Sequence, residues 1–492
     1  MRLTLNGKIN SLYVQSLCMM FFRGEKFPEN EENPRGMITV SAIEADDGIS
    51  CHASVEYDGK GAEHCYFAPY DLGDSRERVS KLAVGHAVFG ACSHLTGYLP
   101  PWGLLTGIRP SVIAQELIDA HGEVAAKELL KSRYLLSDKK AELAVSVAVN
   151  EHEILRKYDE STCSVYISIP FCPTRCTYCS FISYATNKLF QLIPDYILKL
   201  VSEIKSTFEL IKKIGLTVKT VYIGGGTPTT LSPKQLEVVL GAVSSALGKN
   251  TLDEYTVECG RPDTITQEKL DVLKKYGVNR VSVNPQSLND QVLVNIGRRH
   301  TVKDFFDAYE IVEAKSFDAV NTDLIAGLDG DSIESFRSTV DRIVKLQPKN
   351  VTVHTFSVKK SAQILRDDSE IYNRDGEVAT QSVDYAYDKL ISMGYLPYYM
   401  YRQKNTVSDL ENVGYAKKDA FGIYNVLMMG DGHTVFGIGA GSTTKLVKSI
   451  DGKRSILRIF SPKYPYEYLQ DNQDTDAKAI DFFMKGSNYE NN

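Results

Sequence analysis

Cys172-Pro-Thr-Arg-Cys176-Thr-Tyr-Cys179 sets three thiols in a CxxxCxxC spacing directly after the apolar run Val165-Tyr-Ile-Ser-Ile-Pro-Phe171. Three thiolates on one short loop hold three corners of a four-iron cluster and leave one iron without a protein ligand. That open corner is where chemistry can occur. A zinc site is the competing reading: it favours CxxC pairs and needs a fourth Cys or His, which Cys163 or Cys259 could supply. No second CxxC and no HxxxH pair accompanies the loop. Nine cysteines in 492 residues, with no secretory signal, describe a reducing cytoplasm in which clustered thiols bind metal or react.

The elements that must position this loop repeat one unit: a short β-branched run, a loop rich in functional groups, then an amphipathic helix. Strands are predicted at 164–169, 219–223, 254–259, 280–284, 318–325 and 350–356. Six units averaging about 32 residues match the ~31 of a ~250-residue eight-unit barrel. Alternating βα units make the strands parallel, so the expected fold is α/β, a partial (β/α)6 barrel left open. Ser232-Pro233-Lys-Gln235 predicts a capped helix start, Thr266 a second with Gly277 as its stop, and Asp331 with Glu334 a third.

Barrel enzymes work at the carboxyl ends of their strands. Each predicted strand here ends in chemistry: the three cysteines, Gly224-Gly-Gly-Thr-Pro-Thr229, Glu258, Asn284 with Gln286, Asn321 with Asp323, and His354. The triple glycine is neither a Walker nor a dinucleotide loop; its use is close backbone approach to a ligand. His354 alone reads as a satisfied core histidine, and Gly437-Ile-Gly-Ala-Gly441 as a plain turn.

The chain length predicts about three domains. These are an N-terminal extension of small α/β plus helices at 1–160, the barrel at 161–360, and an α+β region at 361–492 that covers substrate. In the first, Met37–Val40 reads as a strand and Asp58-Gly59 as a hairpin turn, with helices at about 76–97 and 111–157. Cys51-His52 and His64-Cys65 face each other across that hairpin and read as packing. A net charge of −6 without a long basic run argues against nucleic acid. Leu12 to Phe22 is too short to span a bilayer and reads as an amphipathic helix, giving a cytoplasmic protein. The aromatic run Tyr395–Tyr401 reads as core, with stacking on a flat ligand as its alternative, and the end from Gly486 as frayed.

These motifs resemble the radical S-adenosylmethionine (radical SAM) enzymes, and among them the oxygen-independent coproporphyrinogen III oxidase group. The likeness runs through Tyr166–Cys172, Gly224–Thr229, Arg280-Val-Ser-Val-Asn-Pro-Gln286, Gly297-Arg-Arg-His300 and Asn321–Leu328. Leu105-Thr-Gly-Ile-Arg-Pro110, Arg261-Pro-Asp263 and Tyr401-Arg-Gln-Lys404 extend it to the HemZ-type branch over nearly the whole chain. The resemblance implies a [4Fe-4S] cluster on Cys172, Cys176 and Cys179. It also implies S-adenosylmethionine (SAM) against Tyr166, Gly225, Gly226, Thr227, Glu258, Gln286, Arg298 and Asp323, with the cysteines and Tyr166 as the catalytic set.

In the namesake reaction a 5′-deoxyadenosyl radical removes hydrogen from a propionate of coproporphyrinogen III, CO2 leaves, one electron passes to an acceptor, and a vinyl group results. The implied partners are that tetrapyrrole and a low-potential electron donor such as flavodoxin or ferredoxin. Arg261, Arg299, Lys359, Lys360, Arg402 and Lys404 are candidates for the substrate carboxylates. The chain departs from the group at Phe181, where a further Cys is usual, and at Ser168, often a His. It carries Tyr424-Asn-Val-Leu-Met-Met429 where haem-carrier relatives have His-Asn-x-x-Tyr-Trp. A haem carrier and a haem ring-opening enzyme are the alternative functions.

Overall fold

The computed structural model describes residues 1–28, 34–70, 73–179, 185–357, 376–403, 409–450, 452–471 and 475–485. Phe181, Lys359, Lys360, Lys404 and the end from Gly486 lie outside the described residues. Two compact units emerge, one built mainly from Met1–Val149 with Tyr401–Leu410, the other from the remainder.

In the first unit a four-stranded sheet runs in chain order through β1 (Arg2–Asn6), β2 (Gly36–Glu44), β3 (Gly48–Tyr57) and β4 (Lys60–Pro69). Asp58 and Gly59 turn the β3–β4 hairpin with φ of 50° and 76°, the positive values a tight two-residue turn requires. Helix Arg76–Thr96 starts where the Ser75 side chain accepts from the Arg78 amide and stops at Gly97. It packs closely on the sheet, because a Cβ at Gly90 would lie 2.3 Å from the His64 ring. Tyr66 stacks on His86 at 3.9 Å and His64 meets His94 edge-on at 5.3 Å. His64, His86 and His94 are thus packing groups. The expected single helix at 111–157 is three: Pro110–His121, Glu123–Ser132 and Asp138–Leu155. The Leu105–Pro110 loop lines a cavity of about 410 Å3 within this unit.

An eleven-stranded sheet organises the second unit. Its middle is the predicted series in order: β5 (Thr162–Ile169), β6 (Thr217–Gly225), β7 (Glu254–Val257), β8 (Arg280–Ser282), β9 (Ala319–Ala326) and β10 (Asn350–Thr355). Within this series each strand is parallel to the next. Seven of the eight β5 residues are buried, the pattern of a strand covered on both faces. The Ser232 capping box forms in full, and Thr266 caps the next helix. Ser332, rather than Asp331, caps Ile333–Lys345.

The sheet does not close. On the β10 side it continues through β11 (Leu396–Arg402) and β12 (Glu411–Ala416); beyond β5 it continues through β13 (Thr434–Ile438), β14 (Thr443–Ile450) and β15 (Lys453–Phe460). Gly437, read from sequence as part of a plain turn, lies inside β13, which pairs parallel with β5. A Cβ there would lie 2.6 Å from the Thr443 backbone, so glycine allows a close strand approach. Tyr395, Tyr398 and Tyr399 are core residues, and Tyr398 stacks on Phe421 at 5.1 Å. Stacking on a ligand is therefore not their role. No helix among the described residues is long and apolar enough to cross a membrane.

Candidate cluster and cofactor site

The thiol loop leaves β5 through Pro170 and Phe171. Phe171 is fully buried with its ring edge-on to Tyr196 at 5.2 Å, which fixes where the loop begins. The glycine run then clamps it: Gly226 N donates to Ile169 O at 2.8 Å and Thr227 N to Phe171 O at 2.8 Å. Cys172 Sγ lies 3.3 Å from Thr227 Oγ1. Further along, Arg261 Nη1 donates to Thr174 O at 3.2 Å, and Thr177 N to Ile296 O at 3.1 Å. An eight-residue stretch of irregular backbone is thus held by three neighbouring loops.

Cys172 and Cys176 are buried and Cys179 is half-buried. Burial, then the adjacent Cys179 and Cys176, push the Cys172 thiol up to about 11 against the lowering contact from Thr227. A protonated thiol is the resting form until a metal compensates the charge. Cys163 sits six residues before the carboxyl end of β5, about 20 Å from the loop at ~3.3 Å per residue, and cannot join it. Cys259 is fully buried, and burial pushes its thiol up to about 12. Among the described residues no three His, Cys, Asp or Glu side chains converge on one ion. Thiols that each take a separate corner of a cluster have no need to.

Glycine at 224–226 has steric reasons. Gly225 has φ 107°, a Cβ at Gly226 would lie 2.6 Å from Phe171 O, and one at Gly224 2.9 Å from Glu258 Oε2. We expect Gly226→Ala to push the thiol loop outward. It should lower iron retention after reconstitution and destabilise the protein by about 1–3 kcal/mol, as overpacking does; thermal melts and iron assays check both.

Beside the glycines, Glu258 Oε1 accepts from Tyr222 OH at 2.5 Å. Burial, with the Asp323 charge adding to it, raises the Glu258 carboxyl to about 7 although the Tyr222 hydrogen bond lowers it. Asp323 is held at both oxygens, by Asn284 Nδ2 and Asn321 Nδ2, each at 2.7 Å. His354 Nε2 is 3.9 Å from Asp323 Oδ1 while its Nδ1 is 3.3 Å from Asn412 Oδ1. Arg298 spans from Asn284 O to Tyr178 OH, both at 3.3 Å, and so ties strand β8's exit to the thiol loop.

Two atoms are conspicuous. Arg298 Nε and Gln286 Oε1 are buried with no hydrogen-bond partner among the described residues. Gln286 also holds φ at +67°, a strained conformation for a non-glycine residue. Buried donors and acceptors without partners are expensive, and a polar ligand relieves them. Thiols for a cluster, a glycine cradle, two carboxylates and one guanidinium nitrogen without a partner among the described residues together fit a cluster with an amino-acid-bearing ligand beside it.

Sequence reasoning missed an aromatic wall. Tyr166 is half-buried beside the pair Tyr222 and Tyr424, each 6.2 Å away, and Tyr222 stacks on Tyr424 at 4.5 Å. Tyr222 and Gly224 share one face of β6 as Tyr166 and Ser168 share one face of β5, a period-two signal that could have placed Tyr222 beside Tyr166. The substrate cations are less united. Arg261 is buried in the thiol-loop contacts, Arg299 is exposed, and Arg402 is held in the first unit by Asp409 O and Leu105 O.

The model of the radical SAM superfamily matches residues 166–343. The chain is 33% identical to the oxygen-independent coproporphyrinogen-III oxidase-like protein HemZ of Bacillus subtilis, over 92% of each chain. It is 33% identical to the heme chaperone HemW of Lactococcus lactis over 57% of this chain and 69% of that protein. Among solved structures, coproporphyrinogen III oxidase (HemN) from Escherichia coli superposes with a TM-score of 0.51 over 67% of this chain and 73% of its own, at 21% identity, which speaks to the fold. The chain therefore belongs to the radical SAM superfamily, in the group of the oxygen-independent coproporphyrinogen-III oxidase-like proteins, which uses a [4Fe-4S] cluster and S-adenosylmethionine.

Proposed function

We propose that this chain oxidatively decarboxylates coproporphyrinogen III propionates to vinyl groups, yielding protoporphyrinogen IX, in the cytoplasm. The observation that carries the reading is the pair of buried atoms Arg298 Nε and Gln286 Oε1, without a hydrogen-bond partner among the described residues, beside a three-thiol loop. The substrate class comes from the relative that spans 92% of the chain and is called an oxidase-like protein. When bound, the cluster and S-adenosylmethionine supply the one-electron chemistry that removes a hydrogen atom from a propionate.

The chain's residues hold and orient. Cys172, Cys176 and Cys179 carry the cluster, and Thr227 keeps the first of these in place. Arg298 pairs with the methionyl carboxylate, Glu258 and Asp323 accept from the ribose hydroxyls or the amine, and Gln286 accepts a further donor. Glycines 225 and 226 let the backbone approach. Tyr166, with Tyr222 and Tyr424 behind it, forms an apolar wall that keeps water from the reacting carbon. Residues 361–492 cover the tetrapyrrole, and a flavodoxin or ferredoxin delivers the electron.

A second reading, a haem carrier, is favoured by the relatives named as heme chaperones. Anaerobic incubation with coproporphyrinogen III, S-adenosylmethionine and a low-potential reductant separates the two. Tetrapyrrole mass is expected to fall by two CO2 and four hydrogens. Stoichiometric haem binding with an unchanged tetrapyrrole would select the carrier.

A further inference from the structure

We infer that Arg261 and Asp263 tune the reduction potential of the cluster through Cys176, and that Arg261 does not bind substrate carboxylates. The inference rests on the cluster sitting on Cys172, Cys176 and Cys179. Arg261 is only 3% exposed. The guanidinium edge that would grip a carboxylate is already occupied: Nε and Nη2 donate to the two oxygens of Asp263 at 3.0 and 3.1 Å. Its remaining nitrogen, Nη1, donates to Thr174 O at 3.2 Å and points at Cys176 Sγ from 3.8 Å.

The backbone beneath is fixed as well. Pro262–Thr264 form a tight turn, Thr264 Oγ1 donates to Arg261 O at 2.8 Å, and Thr264 Oγ1 meets Thr229 Oγ1 at 2.6 Å. The turn therefore ties Arg261 to the loop that follows the glycine run. Lys269 Nζ closes it from outside, donating to Thr264 O at 2.8 Å.

Reduction adds one negative charge to the cluster and its sulfurs. A cationic N–H donor at a ligand sulfur stabilises that added charge and raises the potential; an anion behind the donor offsets it. Arg261 and Asp263 thus act in opposite directions on one thiolate. Arg261 is a positioning residue: it touches a cluster ligand, not the reacting atoms. Asp263 holds the guanidinium in place and limits how far it raises the potential, which keeps the cluster reducing enough for its task.

The test is a potentiometric titration of the reconstituted full-length protein, followed by electron paramagnetic resonance, without substrate or S-adenosylmethionine. Arg261→Met should make reduction harder by about tenfold, a fall of about 59 mV for one electron. Asp263→Asn should move the potential upward by a similar amount, with iron content near that of the parent protein in both variants. Opposite signs are the signature, because mere loosening of the loop would shift both variants in the same direction. Shifts of the same sign, or no shift in either variant, would overturn the proposal. Should Arg261→Met fail to hold iron, Asp263→Asn decides alone: a rise supports the proposal and an unchanged or lower potential overturns it. A parent protein that retains no iron would overturn the cluster assignment itself, and this inference with it.

Discussion

Cys172→Ala is expected to abolish both the bound cluster and the reductive cleavage of S-adenosylmethionine. A cluster held by these three thiols would lose one of its three protein ligands. The loss should exceed the ~100-fold that removing a ligand's hydrogen-bond partner costs. Iron and sulfide assays after anaerobic reconstitution read the first effect, and 5′-deoxyadenosine formation reads the second. The fold should survive, because the side chain is small and its one polar contact among the described residues is Thr227 Oγ1 at 3.3 Å. A shift of about 1 kcal/mol in the cofactor-free protein is the expected size, measured by urea titration. Full iron content in this variant would mean that the thiol loop does not carry the metal.

Glu258→Gln is expected to weaken S-adenosylmethionine binding while stabilising the cofactor-free protein. Exchanging a carboxylate acceptor for an amide removes a charged hydrogen bond of about 1.5–3 kcal/mol, a rise of about 10- to 100-fold in Kd by equilibrium dialysis. Stability moves the other way. Burial raises the Glu258 carboxyl to about 7 from the ordinary 4.5. Below about 4.5 the group is protonated in both folded and unfolded chains, so the substitution changes little. Between 4.5 and 7 the folded protein keeps a proton that the unfolded chain has released, so stability falls as pH rises. Above 7 the ionised carboxylate is buried at full penalty, and the amide should be more stable by about 1–3 kcal/mol. Urea melts of the two proteins at pH 5 and pH 8 check this. Equal stabilities at pH 8 would show that Glu258 is not strained in its ionised form.

The cysteine loop and the residues at the strand ends were legible because their signals are local. A CxxxCxxC spacing, a proline after an N-cap serine and a β-branched run are all read within ten residues. The parallel series β5–β10 followed from the regular spacing of such runs. What stayed hidden depends on distant segments. Tyr424 reaches the site because Glu254 at the start of β7 accepts from the Ile423 and Tyr424 amides, at 2.7 and 3.4 Å, and so seats the helix Ile423–Met429. Nothing in the local sequence around either residue announces that meeting. The strand β13 is five residues long and runs into Gly439-Ala-Gly441, so composition reads it as a turn. Arg261 looked like a free cation because its neighbour Asp263 and the thiol loop are brought to it by a tight turn that only the structure displays.

Isotope transfer tests the central claim most directly. Coproporphyrinogen III deuterated at the β-carbons of its propionates is incubated anaerobically with the reconstituted protein, S-adenosylmethionine and a low-potential reductant. Deuterium in 5′-deoxyadenosine, together with vinyl product, is the predicted result. Unlabelled 5′-deoxyadenosine with an unchanged tetrapyrrole would contradict the account, since the radical chemistry would then act on some other molecule.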